Sequence, residues 1–134
     1  MFKTDLTVKR NIKQNHSWIV QEPLIWEDEN YYIKVKKGFD FDFASIPAPF
    51  RVFLPKQGKR YDRASCLHDA LYASKWLPKK ECDRLFYKAM LEDGVPAYRA
   101  KYMHTAVKWF GKSAYNSDED LDLYKKLVKV GIKG

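Results

Sequence analysis

No run in the 134-residue chain approaches the roughly 18 apolar residues that a membrane span requires. Cysteine is scarce: Cys66 and Cys82 cannot build a disulfide scaffold, and a reduced pair of small buried side chains is the expectation. The opening residues, MFKTDLTVKR, lack the apolar stretch of a secretory signal, which predicts a protein kept in a cytoplasm. No block of five or six like charges suggests an interaction tail; KVKKG, KQGKR and KKLVKVGIKG are the densest basic stretches. Repeats and low-complexity segments are missing too, which excludes solenoids and arrays.

What remains is one ordinary domain, residues 1–134. Hydrophobic residues make up 46% and aromatics 16%, enough for a real core. The formal charge of +8 is spread along the chain and interleaved with acids. That distribution reads as a solvated surface with an anionic partner, and it ranks nucleic acid below a protein partner.

The first third alternates with period two, as in WIV and YYIKV, the pattern of half-buried strands. Strands are predicted over residues 5–12, 16–21, 23–27 and 31–36, paired as a small antiparallel meander with a turn at Glu27 to Asn30. GFDFDFASIPAPFRVFLPKQG follows, an aromatic loop in which Pro47, Pro49 and Pro55 forbid a long helix. Helical spacing then takes over. Ala64, Leu67, His68 and Leu71 share one face; Cys82, Leu85, Phe86, Ala89 and Met90 form a second stripe after Pro78; Met103, Ala106, Val107 and Phe110 form a third after Pro96. A last helix is predicted over 118–131, with Ser117 as its cap, acids early and lysines late. The fold class is therefore α+β: a meander, a loop and three to four helices.

Some polar residues strain this pattern. His68 and Tyr72 lie among buried leucines, with Asp69 at the edge of their stripe. Asp83 borders the buried face of the next helix. A short connection makes those helices antiparallel neighbours, so Asp83 is expected to reach His68. A carboxylate that binds one imidazole nitrogen fixes the tautomer and leaves the other to take a proton from water. Asp69, about 100° around the helix, would then hold a divalent cation together with Asp42. Oxygen donors of that kind suit calcium or magnesium. Asp40, Ser45 and Arg51 are candidate loop contacts. A lone histidine on an apolar face is ordinarily a satisfied core residue, and Ser45 is better read as a cap than as a nucleophile.

GFDFDFASIP, RASCLHDALY, ECDRLFYKAM and MHTAVKWFGKSAY, in that order, resemble a family of small proteins of unknown function encoded mostly by tailed phages and prophages. The resemblance covers about residues 5–115 and leaves 116–134 as a C-terminal helical extension. It implies a phage origin, and with it a place in the host cytoplasm or the virion. Two positions depart from the family pattern: Phe41 replaces a threonine, and Ala48 stands where a basic residue often follows, with Arg51 the nearest candidate. His68, Asp69, Tyr72 and Asp83 are also similar to the two-helix centre of secretory phospholipases. That likeness implies a general base at His68, an orienting Asp83 and a calcium ligand at Asp69, without the glycine-rich calcium loop or the disulfides.

Two leading readings follow, ranked above a third in which the chain binds nucleic acid through lysines and exposed aromatics. In the first the chain is a metal-assisted hydrolase of an ester, amide or phosphodiester, with His68, Asp83 and Tyr72 at its centre. In the second Asp42, His68, Tyr72 and Asp83 lock the loop onto the helices by buried hydrogen bonds, and the protein acts through its surface as a virion component or a binder of a host protein.

Overall fold

The computed structural model describes residues 1–12, 17–41, 61–116 and 120–133. Strands β1 (Val8–Arg10), β2 (Trp18–Val20), β3 (Leu24–Glu27), β4 (Tyr31–Val35) and β5 (Asp40–Phe41) come first. Helices α1 (Asp62–Ser74), α2 (Lys79–Glu92), α3 (Ala97–Phe110), α4 (Lys112–Tyr115) and α5 (Leu121–Leu127) follow, and β6 (Val128–Ile132) ends the order. The α+β class is as expected. The strands, however, divide into two antiparallel sheets, β1-β2-β5 and β3-β4-β6, instead of one meander.

The β3–β4 turn falls where turn residues cluster. The Asp28 carboxylate accepts from the backbone of Asn30 and Tyr31 at 2.8 and 2.7 Å, which makes it an Asx turn. Its other oxygen accepts from Lys88 on α2 at 2.9 Å, so one acid both shapes the turn and anchors it. Gly38, at φ +98, takes the chain from β4 into β5, and its amide donates to Val20.

The end of the chain corrects the sequence reading. Residues 118–131 are not one helix. After the seven-residue α5 the chain extends, and β6 pairs with β4, Val128 opposite Val35 and Val130 opposite Ile33. β-branched residues at alternating positions fit a pleated edge better than a helix. Here they also fill the open side of β4, and the backbone carbonyl of Val128 accepts from the Trp76 indole at 2.7 Å. The expected cap Ser117 lies outside the described residues.

Helix α1 is central. It packs against α2 and α5 and touches β3, β5 and β6. The expected stripe is buried, but so are Ser65, Cys66, Asp69 and Ala70, so α1 is enclosed almost all round and not amphipathic. Lys75, at φ 52, ends it, with its amide on Leu71. A four-residue link then returns the chain as α2, whose apolar stripe is buried as expected. Arg63 at the start of α1 clasps Asp93 at the end of α2 through two 2.7 Å bonds, a fork-to-fork pairing that fixes their relative position. Gly94, at φ +84, supplies the left-handed residue after α2. On α3, Ala100, Met103, Ala106 and Val107 are buried, but Phe110 is 61% exposed because the helix ends there and the chain turns away. Both cysteines are buried and unpaired with each other.

Val128→Ala should cost about 2 kcal/mol in a denaturant melt, since it empties a fully buried edge contact. Ile132→Ala on the same strand, 76% exposed, should cost less than about 0.5 kcal/mol.

Candidate functional site: a buried carboxylate shared by three helices

α1 and α2 bring three of the predicted residues together. His68 Nε2 lies 2.8 Å from Asp83 Oδ1, and the Tyr72 hydroxyl donates to the same oxygen at 2.5 Å. His68 and Tyr72 stand one turn apart on α1, so both reach one point on the neighbouring helix. The imidazole is gripped between rings, 4.4 Å from Phe86 and 4.1 Å from Tyr72 between centroids. His68 has no exposed surface and Asp83 only 2%.

Asp83 Oδ2 is occupied as well, by a residue that the sequence reading missed. The Lys79 ammonium donates to it at 2.8 Å and also to the carbonyls of Val107 and Lys108, at 2.8 and 3.3 Å. Those carbonyls belong to the last turn of α3, where a helix presents acceptors and partial negative charge. One ammonium therefore neutralises the carboxylate and ties α2 to the end of α3. The Lys79–Asp83 spacing of four was a legible cue to that pair, but nothing in it pointed to α3.

Gly111 follows the last residue of α3. A Cβ there would stand 2.6 Å from the Val107 carbonyl oxygen and 2.9 Å from the Tyr72 hydroxyl. The glycine leaves room for the hydroxyl that holds Asp83. Tyr115 closes the same side, edge-on to Tyr72 at 5.3 Å.

The charges of the cluster can be assigned. Burial alone would raise the Asp83 carboxyl, but hydrogen bonds from His68, Lys79 and Tyr72 outweigh it and hold the group below its ordinary 3.8. Burial pulls the His68 imidazole below its ordinary 6.5, and this exceeds the opposing pull of Asp83. At neutral pH the pair is thus a carboxylate and a neutral ring. An ionised Asp83 only accepts, so Nε2 carries the ring proton and Nδ1 the lone pair. Burial and the neighbouring carboxylate raise the Tyr72 phenol far above its usual range, so it stays a donor. The thiols are inert: burial pushes Cys82 up to about 12 and Cys66 well above its ordinary value.

Two of the other predicted residues, Asp69 and Asp40, are among the described ones. Asp69 is buried on α1, one position from His68. Asp40, on β5, accepts from the Tyr124 hydroxyl at 3.1 Å and so ties β5 to α5. Asp42, Ser45 and Arg51 lie outside the described residues. Among the described residues, no three or more His, Cys, Asp or Glu side chains converge as a metal-binding group.

An α+β domain with an Asp–His pair sealed between adjacent helices is the class that fold and site define. The chain belongs to the family described as "Protein of unknown function (DUF1353)", whose model matches residues 18–107. That span holds the strands β2 to β5 and the helices α1 and α2, with the cluster's four side chains. The chain is also similar to "Uncharacterized protein y4jT" of Sinorhizobium fredii (strain NBRC 101917 / NGR234), at 37% identity over 79 residues. This alignment covers 58% of the chain but only 23% of that protein. No solved structure matches.

Two predictions test the cluster. Gly111→Ala should destabilise by about 1–3 kcal/mol through the forced contacts. In a double-mutant cycle Tyr72→Phe should recover part of that loss, because it removes one of the two clashing atoms. The second concerns pH. Both depressed pKa values mean that the unfolded chain takes up protons first. The His68 contribution is complete above its unfolded value of 6.5 and is lost as pH falls through the folded value. The Asp83 contribution is likewise present above 3.8 and lost below. His104, half-buried against Tyr87, shifts the same way as His68. Stability should therefore begin to fall below about pH 6.5, and His68→Gln should flatten that first step more than His104→Gln does.

Proposed function

We propose that the chain is a hydrolase in which His68 is the general base and Asp83 its positioning residue. The observation that carries this reading is the 2.8 Å contact from Asp83 to Nε2, the far side of the ring from Nδ1. With Nε2 held as a donor, the Nδ1 lone pair is the group that takes a proton from an attacking water. The water oxygen bonds to the carbonyl carbon or phosphorus of an ester, amide or phosphodiester, and its proton passes to Nδ1. The imidazolium so formed keeps its Nε2–H on the carboxylate and returns the Nδ1 proton to the leaving group. Tyr72 and Lys79 do not touch the substrate in this scheme. They fix the carboxylate's orientation and balance its charge.

Asp69, with Asp42, is the place for a divalent cation, which would polarise the scissile bond. Because the described residues alone do not build that site, the proton path above is written through His68 and Asp83 only. A phage origin would place such activity in an infected cell or a particle.

A second reading is favoured by the complete burial of His68 and the filled valences of Asp83. There the cluster is a polar lock joining α1, α2 and α3, and the protein works through its surface on a host or virion protein.

The two are separated by assaying ester, amide and phosphodiester panels together with melting curves. The hydrolase reading predicts that His68→Ala lowers kcat by at least about 10²-fold while the protein stays folded at the assay temperature. It also predicts an acidic limb of the pH–rate profile below 6.5, since the base must be neutral and burial lowers its pKa. A wild type inert on every panel, with a His68→Ala variant that unfolds, establishes the lock instead. Calorimetry with calcium and magnesium on the wild type and Asp69→Asn tests the cation; no heat in either removes it.

A further inference from the structure

We infer that the outer face of α3 is a docking surface for an anionic lipid bilayer. This is independent of any catalysis at His68. Met103 and Val107 face the core, yet α3 carries a second set of large side chains pointing outward. Tyr98 is 71% exposed and Trp109 69%, with Tyr102 between them at helical spacing and Phe110 at the flank. Tyr98, Tyr102 and Phe110 line a shallow open groove whose floor includes Thr105 and Ala106. Exposed aromatics gathered on one helix face are not the scattered apolar residues of an ordinary surface.

Charge identifies the occupant. From Gly94 to Ser117 the sequence contains no aspartate or glutamate but has Arg99, Lys101, Lys108 and Lys112. Two of these cations lie over the rings themselves: Arg99 over Tyr98 at 5.9 Å and Lys108 over Trp109 at 6.0 Å. Single-stranded nucleic acid takes a groove lined with positive charge along the backbone, whereas the groove here holds one cation, Lys101, among aromatic and small side chains. The same arrangement suits a headgroup layer. Tyrosine and tryptophan settle at the boundary of water and acyl chains, and the lysine and arginine stems run alongside while their charges meet lipid phosphates. A helix of this kind lies flat in the interface. Each cation near an anionic surface adds attraction that decays within about a Debye length.

The test is co-sedimentation of the full chain with vesicles of phosphatidylcholine alone and of equal phosphatidylcholine and phosphatidylglycerol. Binding should appear on the mixed vesicles at low salt and fall by at least about tenfold on the neutral ones. Lys101→Gln/Lys108→Gln and Tyr98→Ser/Trp109→Ser should each weaken it by at least about tenfold. Their melting temperatures should not change, because these side chains face solvent. The exposed single change Lys101→Gln keeps the test valid if a double variant misfolds, and Lys125→Gln on α5 should have no effect. Equal binding to both vesicle types, or none, overturns the proposal, as does binding that the α3 variants leave intact. Retention of a single-stranded oligonucleotide without vesicle binding transfers the face to nucleic acid. Self-association lost in Tyr98→Ser/Trp109→Ser without vesicle binding transfers it to a second copy of the chain.

Discussion

A negative charge at Asp83 is held almost out of water, and the helical half of the molecule is arranged around making that tolerable. Burying a lone carboxylate costs several kcal/mol, so its neighbours are constrained. Oδ1 accepts from an imidazole and a phenol, Oδ2 from an ammonium, and that ammonium finishes its own bonding on the end of α3. The ion pair is formally neutral, which lets His68 remain uncharged at the same site. Three helices share one set of hydrogen bonds. Removal of Asp83 takes a partner from His68, Tyr72 and Lys79 at once, which is why the cluster acts as a unit.

This constraint reaches residues that do no chemistry. Helix α1 must be enclosed for Asp83 to be dry, and the C-terminal end of the chain completes the enclosure. Strand β6 pairs with β4 and touches α1, and α5 packs beside it. Gly111 carries no side chain because the Tyr72 hydroxyl stands where one would project. The Arg63–Asp93 fork holds the start of α1 against the end of α2, at the opposite end of the pair from the Lys79 contact with α3. Outward of all this, α3 turns an aromatic and basic face to solvent, so one helix serves the sealed cluster on one side and the proposed lipid surface on the other.

Much of this was legible in the chain, for reasons that differ by element. The α2 stripe was readable because apolar residues at helical spacing have few other uses. The His68–Asp83 contact followed from two polar residues on buried stripes joined by a short link. The last segment was misread because its acids and lysines mimic a dipole-matched helix, whereas Val128, Val130 and Ile132 already alternated as in a strand. Which force wins there is decided by the vacant edge of β4, a tertiary fact. Phe110 had the right spacing for the core but sits where α3 stops. Lys79 was visible as an i,i+4 partner, yet its bonds to the α3 carbonyls depend on how two helices cross, and no local pattern encodes that.

The account depends most on the protonation state it assigns: an ionised Asp83 beside a neutral His68 with its proton on Nε2. Nitrogen-15 NMR of the His68 ring, followed through a pH titration, measures this directly. The account predicts one protonated and one unprotonated nitrogen at neutral pH, with the unprotonated one Nδ1, and no second protonation until the pH is below 6.5. A ring protonated on both nitrogens at neutral pH, or one carrying its proton on Nδ1, would contradict it.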